Sequence, residues 1–166
     1  MHIGASYQNE KRKNEVVYYE HETSDTVLAF NGSGEFVQRA YGGNNIELLG
    51  AAGGWIASAP ELARLLVAID GFEDKPDLLS KESIVLMTES TERPLGWRDT
   101  KKTGEWYRTG TLAGTSAMLM RRPDGIEWVV LCNSSNWRGP HLTFEIARTM
   151  NRIINQVKEW PKHDLF

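Results

Sequence analysis

Pro123-Asp124-Gly125 separates two runs of strand-forming residues, Ser116-Ala117-Met118-Leu119-Met120-Arg121 and Ile126-Glu127-Trp128-Val129-Val130-Leu131-Cys132-Asn133. Glycine at the third position can take positive φ, and Pro-Asp-Gly favours a tight reversal. The two runs are therefore expected to pair as an antiparallel hairpin. A third run, Glu105-Trp106-Tyr107-Arg108-Thr109, precedes them across the short turn-forming stretch Gly110-Thr111-Leu112-Ala113-Gly114-Thr115. Three strands in meander order follow from this spacing. Val129-Val130-Leu131-Cys132 lacks polar alternation, which predicts a central strand covered on both faces.

After the meander, Leu142, Ile146, Met150, Ile153 and Val157 recur at helical spacing. They predict one amphipathic helix over roughly residues 140–159, stopped by Pro161, with its apolar stripe on the sheet. Upstream, Ser58-Ala59-Pro60-Glu61 has the form of a capping box with proline in the first turn. Leu62, Leu65, Leu66 and Ile69 fall on one face of the helix it opens, and Gly71 ends it. A second helix is expected from Ser80 to about Thr88, with Ile84 and Met87 inward. The pattern makes the chain a single α+β domain: residues 1–57 loop-rich with short strands at 15–20 and 26–30, residues 58–90 two helices, and residues 100–160 an antiparallel meander with a C-terminal amphipathic helix packed on it. Residues 31–54 hold seven glycines and little periodicity. They read as a long irregular connection, a kind of segment that often lines a cleft.

Composition narrows the function classes. An apolar fraction of 40% in 166 residues can bury a core. A net charge of -3 offers no basic patch for nucleic acid. Lys11-Arg12-Lys13 is flanked by Glu10 and Glu15 and reads as a solvated loop. Cys132 is the one cysteine, so no intrachain disulfide forms, and its neighbours make it a strand residue. No stretch is long enough to span a membrane, and no signal peptide opens the chain. His2, His21, His141 and His163 are far apart, without ligand spacing, so no metal site and no cofactor are expected. Gly50-Ala51-Ala52-Gly53-Gly54 lacks the Lys-Ser/Thr of a phosphate loop. Trp97, Trp106 and Trp137 suit core packing, with cleft lining as the alternative.

The candidate site lies in Arg108-Thr109-Gly110-Thr111-Leu112-Ala113-Gly114-Thr115-Ser116. Arg108 can neutralise an anion, the threonines offer hydroxyls and amides, and Gly110 removes a side chain that would block approach to the backbone. This stretch resembles the third motif, Lys-Thr-Gly or His-x-Gly, of the serine β-lactamase-related family, which comprises class C β-lactamases, penicillin-binding DD-peptidases and related esterases. Ala52-Gly53-Gly54-Trp55-Ile56-Ala57-Ser58-Ala59-Pro60-Glu61-Leu62-Ala63-Arg64 resembles that family's Gly-Gly, Ser/Thr-x-x-Asp/Glu-Leu segment. Arg122-Pro123-Asp124-Gly125 and Val130-Leu131-Cys132-Asn133 resemble its next hairpin and strand. The similarity runs in order from about residue 40 to the end.

The resemblance implies a partial β-lactamase/transpeptidase-like fold and a site for a small-molecule or peptide substrate. Arg108 and Thr109 would hold the substrate carboxylate, Gly110 would keep the wall open, and the Thr111 backbone N–H would donate to the oxyanion. Arginine stands where lysine or histidine is usual, and a guanidinium does not readily shuttle a proton, so its implied role is anion binding. The family's nucleophile sits in Ser-x-x-Lys. No serine of this chain has lysine three residues on, and Tyr7-Gln8-Asn9 is a chance match to Tyr-x-Asn in a polar loop. With the abrupt start at Met1-His2-Ile3-Gly4, the chain reads as the C-terminal portion of such a hydrolase, inactive alone, its parent expected in the periplasm or cell envelope. The alternative reading is a non-catalytic binding module for carboxylate-bearing cell-wall peptides. A meander without neighbouring strands would carry an unprotected edge, so self-association is also expected.

Overall fold

The computed structural model describes residues 1–89, 94–98, 102–136 and 141–163. Its chain order is β1 (His2–Ile3), β2 (Val27–Leu28), β3 (Phe36–Val37), β4 (Trp55–Ile56), α1 (Ala59–Val67), α2 (Lys81–Glu89), β5 (Trp106–Leu112), β6 (Thr115–Arg121), β7 (Glu127–Cys132) and α3 (His141–Ile154). The class is α+β with small antiparallel sheets. β5, β6 and β7 form the meander, β1 pairs with β4, and β2 pairs with β3. No described helix is long and apolar enough to cross a membrane.

Register in the meander sorts its side chains onto two faces, because successive residues of a strand alternate sides. Thr109 lies opposite Met118, Tyr107 opposite Met120, and Met120 opposite Trp128. These residues share a face with α3, whose Ile146, Ala147, Met150 and Ile154 complete the core around Met118, Met120 and Trp128. The other face carries Arg108, Gly110, Leu119, Arg121, Glu127 and Val129. Against it comes the end of α1, which lies along β6 and β7. There the Arg121 guanidinium sits 3.8 Å from the Phe72 ring centroid and 4.3 Å from that of Trp106, and its Nε donates to the Asp70 carbonyl at 3.1 Å.

α1 begins as its cap dictates. The Ser58 hydroxyl accepts from the Glu61 N–H, and the Glu61 carboxylate accepts from the Ser58 N–H at 2.7 Å. The Ser58 N–H foremost, then the Ser58 hydroxyl donating at 2.9 Å and the Met1 ammonium at 3.1 Å, pull the Glu61 pKa down to about 2.

Several expectations need correction. β6, not β7, is the central strand, since β7 is the last of three. An uninterrupted apolar run does not require a strand on each side; here Trp128 packs toward α3 while Leu131 stays exposed. The run 15–20 forms no strand. Glu15 is buried and draws the chain into a turn, accepting from the Arg12 N–H at 3.2 Å, the Ala5 N–H at 3.4 Å and the Tyr18 hydroxyl at 3.0 Å. Lys11-Arg12-Lys13 is accordingly more than a solvated loop, because the Lys11 ammonium also donates to the Glu15 carbonyl. Of 26–30 only Val27–Leu28 is extended, paired with β3 inside the segment read as irregular. α3 ends at Ile154, short of Val157, and Ile153 is 48% exposed while Ile154 is buried. The packed face of α3 lies further round, with the buried Thr143 on it.

Candidate functional site

β5 is the outer strand of the meander. Antiparallel pairing directs the backbone groups of alternate residues toward the partner and away from it. Tyr107 points away from β6, since it exchanges backbone bonds with Arg98 on the outer side: Arg98 N–H to the Tyr107 carbonyl at 2.9 Å, and Tyr107 N–H to the Arg98 carbonyl at 3.4 Å. The N–H and C=O of Thr109 and Thr111, two and four residues on, therefore project from the same outer edge. Arg98 covers only the beginning of that edge.

Arg108 and Gly110 stand exposed on the face opposite α3. Among the described residues nothing pairs with the Arg108 guanidinium, which leaves it available to an anion. Among the described residues a Cβ built on Gly110 would meet only the Ala117 Cβ, at 3.7 Å, an ordinary contact. The wall is thus open above Gly110. Thr109 belongs to the other face. Arg108 and Thr109 share an edge through the Thr109 backbone, but their side chains diverge.

The Thr111 hydroxyl also turns inward. It and the hydroxyl of its cross-strand partner Ser116 are buried without a hydrogen-bond partner among the described residues. What Thr111 presents outward is its amide, the group an oxyanion contact would use.

The stretch 52–64 and the stretch 108–116 come together in space. Gly53 belongs to the helical turn Gly50–Gly54 that leads into β4, and a Cβ placed on it would lie 3.9 Å from Leu112 Cδ1 at the end of β5. At the same end, the hairpin turn is held by the Ser135 hydroxyl, which accepts from the Gly114 N–H at 2.9 Å. Gly114 takes φ 72°, and a Cβ there would come within 2.8 Å of Tyr18 Cβ. Segment 17–19 is therefore seated directly over the turn. It is fixed by Tyr19 N–H donating to the Asn133 carbonyl at 3.0 Å and by Asn133 Nδ2 donating to the Val17 carbonyl at 2.8 Å.

The base of β5 is aromatic rather than ligand-accessible. Trp97 is buried, with its ring 6.2 Å from that of Trp106, as core packing requires. Trp137 lies outside the described residues. Tyr7 of the Tyr7-Gln8-Asn9 match stacks on Phe30 at 5.4 Å. His2, His141 and His163 are exposed, His21 is half-buried, and among the described residues no His/Cys/Asp/Glu group could hold a metal ion.

Two features had no sequence signal. The first is Glu127 beside Arg121. Both its carboxylate oxygens are buried without a hydrogen bond, and burial, then the charge of Asp70, raise its pKa to about 8. The second is a cleft of about 490 Å³ between residues 17–26 and Tyr41. In the sequence Tyr18 and Tyr19 belong to a run with strand composition and Tyr41 to a long irregular connection; only the fold brings Tyr41 back against Tyr18. Comparisons with family models, curated proteins and solved structures find no match to this chain.

Proposed function

We propose that this chain supplies the substrate-binding wall of an acyl-serine hydrolase of the β-lactamase and penicillin-binding type. The wall is the outer edge of β5. Arg108 holds the substrate carboxylate, the open space above Gly110 admits the substrate, and the outward amide of Thr111 donates to the oxyanion, where a preorganised donor gains most. A nucleophilic serine would attack the amide or ester carbonyl. Without Ser-x-x-Lys, this chain lacks the activated nucleophile that step needs, so the wall binds but does not cleave by itself. The observation that carries the reading is the approach of Gly53 to Leu112, which joins the two segments of family-like sequence at one end of β5.

Two measurements test it. The chain alone should show no turnover of a chromogenic cephalosporin or a p-nitrophenyl ester above a buffer blank; hydrolysis that purifies with the chain contradicts the inactive reading. Benzylpenicillin should bind saturably, and Arg108→Ala should weaken it roughly fivefold, the worth of about 1 kcal/mol for an exposed charge contact. Binding that is indifferent to Arg108→Ala removes β5 from the site.

A further inference from the structure

The cleft between residues 17–26 and Tyr41 combines aromatic and acidic residues. Tyr18, Tyr19 and Tyr41 line it together with Glu20, Glu22 and Asp25, beside His21 and neutral polar side chains; among the described lining residues there is no lysine or arginine. The aromatic walls are fixed rather than swinging. The Tyr41 hydroxyl accepts from the Tyr18 N–H at 2.7 Å, and the Tyr18 hydroxyl donates to the buried Glu15 at 3.0 Å. The two rings stand 6.1 Å apart, tilted by 47°, an aromatic pair that buttresses one side of the cleft. Glu20 is set in the wall by the Ala40 N–H at 2.9 Å, and His21 is tied back by the Thr23 N–H at 3.2 Å. Tyr19 is 59% exposed although its backbone is pinned to Asn133, so its ring adds little to the core.

A cation with an apolar shell is the ligand that matches such walls. Aromatic faces attract positive charge through their quadrupole. Three carboxylates, with no lysine or arginine among the described lining residues, add a negative field that concentrates such ligands. A neutral apolar ligand would gain only the first surface and an anion would be repelled. We infer that this cleft binds an organic ammonium group, of the size and methylated character of trimethylammonium, at a site separate from the β5 edge.

The test is titration of the full chain with choline chloride, followed by calorimetry or by NMR of the tyrosine ring protons. Saturable binding is expected, with the neutral isostere 3,3-dimethylbutanol at least about fivefold weaker, since roughly 1 kcal/mol rests on the charge. Tyr19→Ala, at an exposed ring, should weaken choline severalfold while Tyr19→Phe retains it. Glu22→Gln combined with Asp25→Asn should weaken it without touching the aromatic walls. Equal affinity for the neutral isostere, or choline affinity unchanged in both Tyr19→Ala and the charge variant, overturns the proposal. So does the absence of saturation up to about 50 mM choline, a concentration well above what a single caged ammonium needs. Arg108→Ala should leave choline binding intact, so failure here and failure of the hydrolase reading are separable.

Discussion

Two glycines on the same sheet allow a controlled measurement of how segment 17–19 is seated. Gly114 and Gly125 each occupy a hairpin turn, at φ 72° and 85°. Alanine at either position carries the left-handed backbone strain of an L-residue, about 1–2 kcal/mol. Around Gly125 there is nothing within 4 Å of a new Cβ, so Gly125→Ala should cost that strain and no more. At Gly114 the same methyl would stand 2.8 Å from Tyr18 Cβ, 3.2 Å from Ala40 Cβ and 3.3 Å from the Tyr19 nitrogen. None of these atoms is the far end of a flexible side chain, so backbone must yield, and overpacking of that kind costs about 1–3 kcal/mol more. For a domain of this length each kcal/mol lowers Tm by about 2–4 °C. Thermal unfolding of the two variants side by side should therefore separate them by several degrees, with Gly114→Ala lower. Equal Tm values would mean that segment 17–19 does not rest on the β5–β6 turn, and the arrangement around Tyr18 would have to be redrawn.

Glu127 sets a pH dependence. Its folded pKa, raised to about 8, exceeds that of the unfolded chain, so between roughly pH 4.5 and 8 the native state holds the extra proton; stability falls as pH rises through that window. Glu127→Gln should flatten the fall in urea midpoints between pH 5 and 8, and a slope that persists would assign it to another group. Ser116→Ala removes a buried hydroxyl without a partner and should leave stability equal or raise it by about 1 kcal/mol; a loss above that would reveal a hydrogen bond at Ser116. Gly110→Val adds a side chain where only Ala117 is near, so the fold should persist while benzylpenicillin binding is lost; retained binding would move the ligand off this face. The outer side of β5 beyond Tyr107, which no described strand pairs, should make the chain associate as concentration rises, and a single monomeric sedimentation profile over a hundredfold range would count against pairing there.

What the sequence disclosed depended on how local the cause was. The α1 cap, the Pro123-Asp124-Gly125 reversal and the three strands in meander order are written in adjacent residues and are present, although β5 runs on to Leu112 and β6 begins at Thr115, through the stretch 110–115 that reads as a turn. The order of strands was not local. Val129–Cys132 looks central by hydrophobicity, yet neighbours decide position, and α1 and α3 supply the cover that a further strand would otherwise give. Glu15 was unreadable for a related reason: the run after it has strand composition, but its carboxylate satisfies donors from residues 5, 12 and 18, and turning the chain around them outweighs a short pairing. At the candidate site, Arg108 and Gly110 were visible as residue types. The divergence of Arg108 from Thr109 follows from the strand itself, whereas the outward amide of Thr111 required the bonds that Tyr107 exchanges with Arg98.

The bond from Asn133 to Val17 also bears on the order in which the molecule assembles. It joins residues 116 positions apart, whereas the meander and its hairpin turns join near neighbours. Closing so large a ring costs chain entropy that only later contacts repay. The sheet should therefore be in place before the first quarter of the chain clasps its end. In native-state hydrogen exchange, the amides of 17–19 should open well before those of β6, as a late-closing latch would.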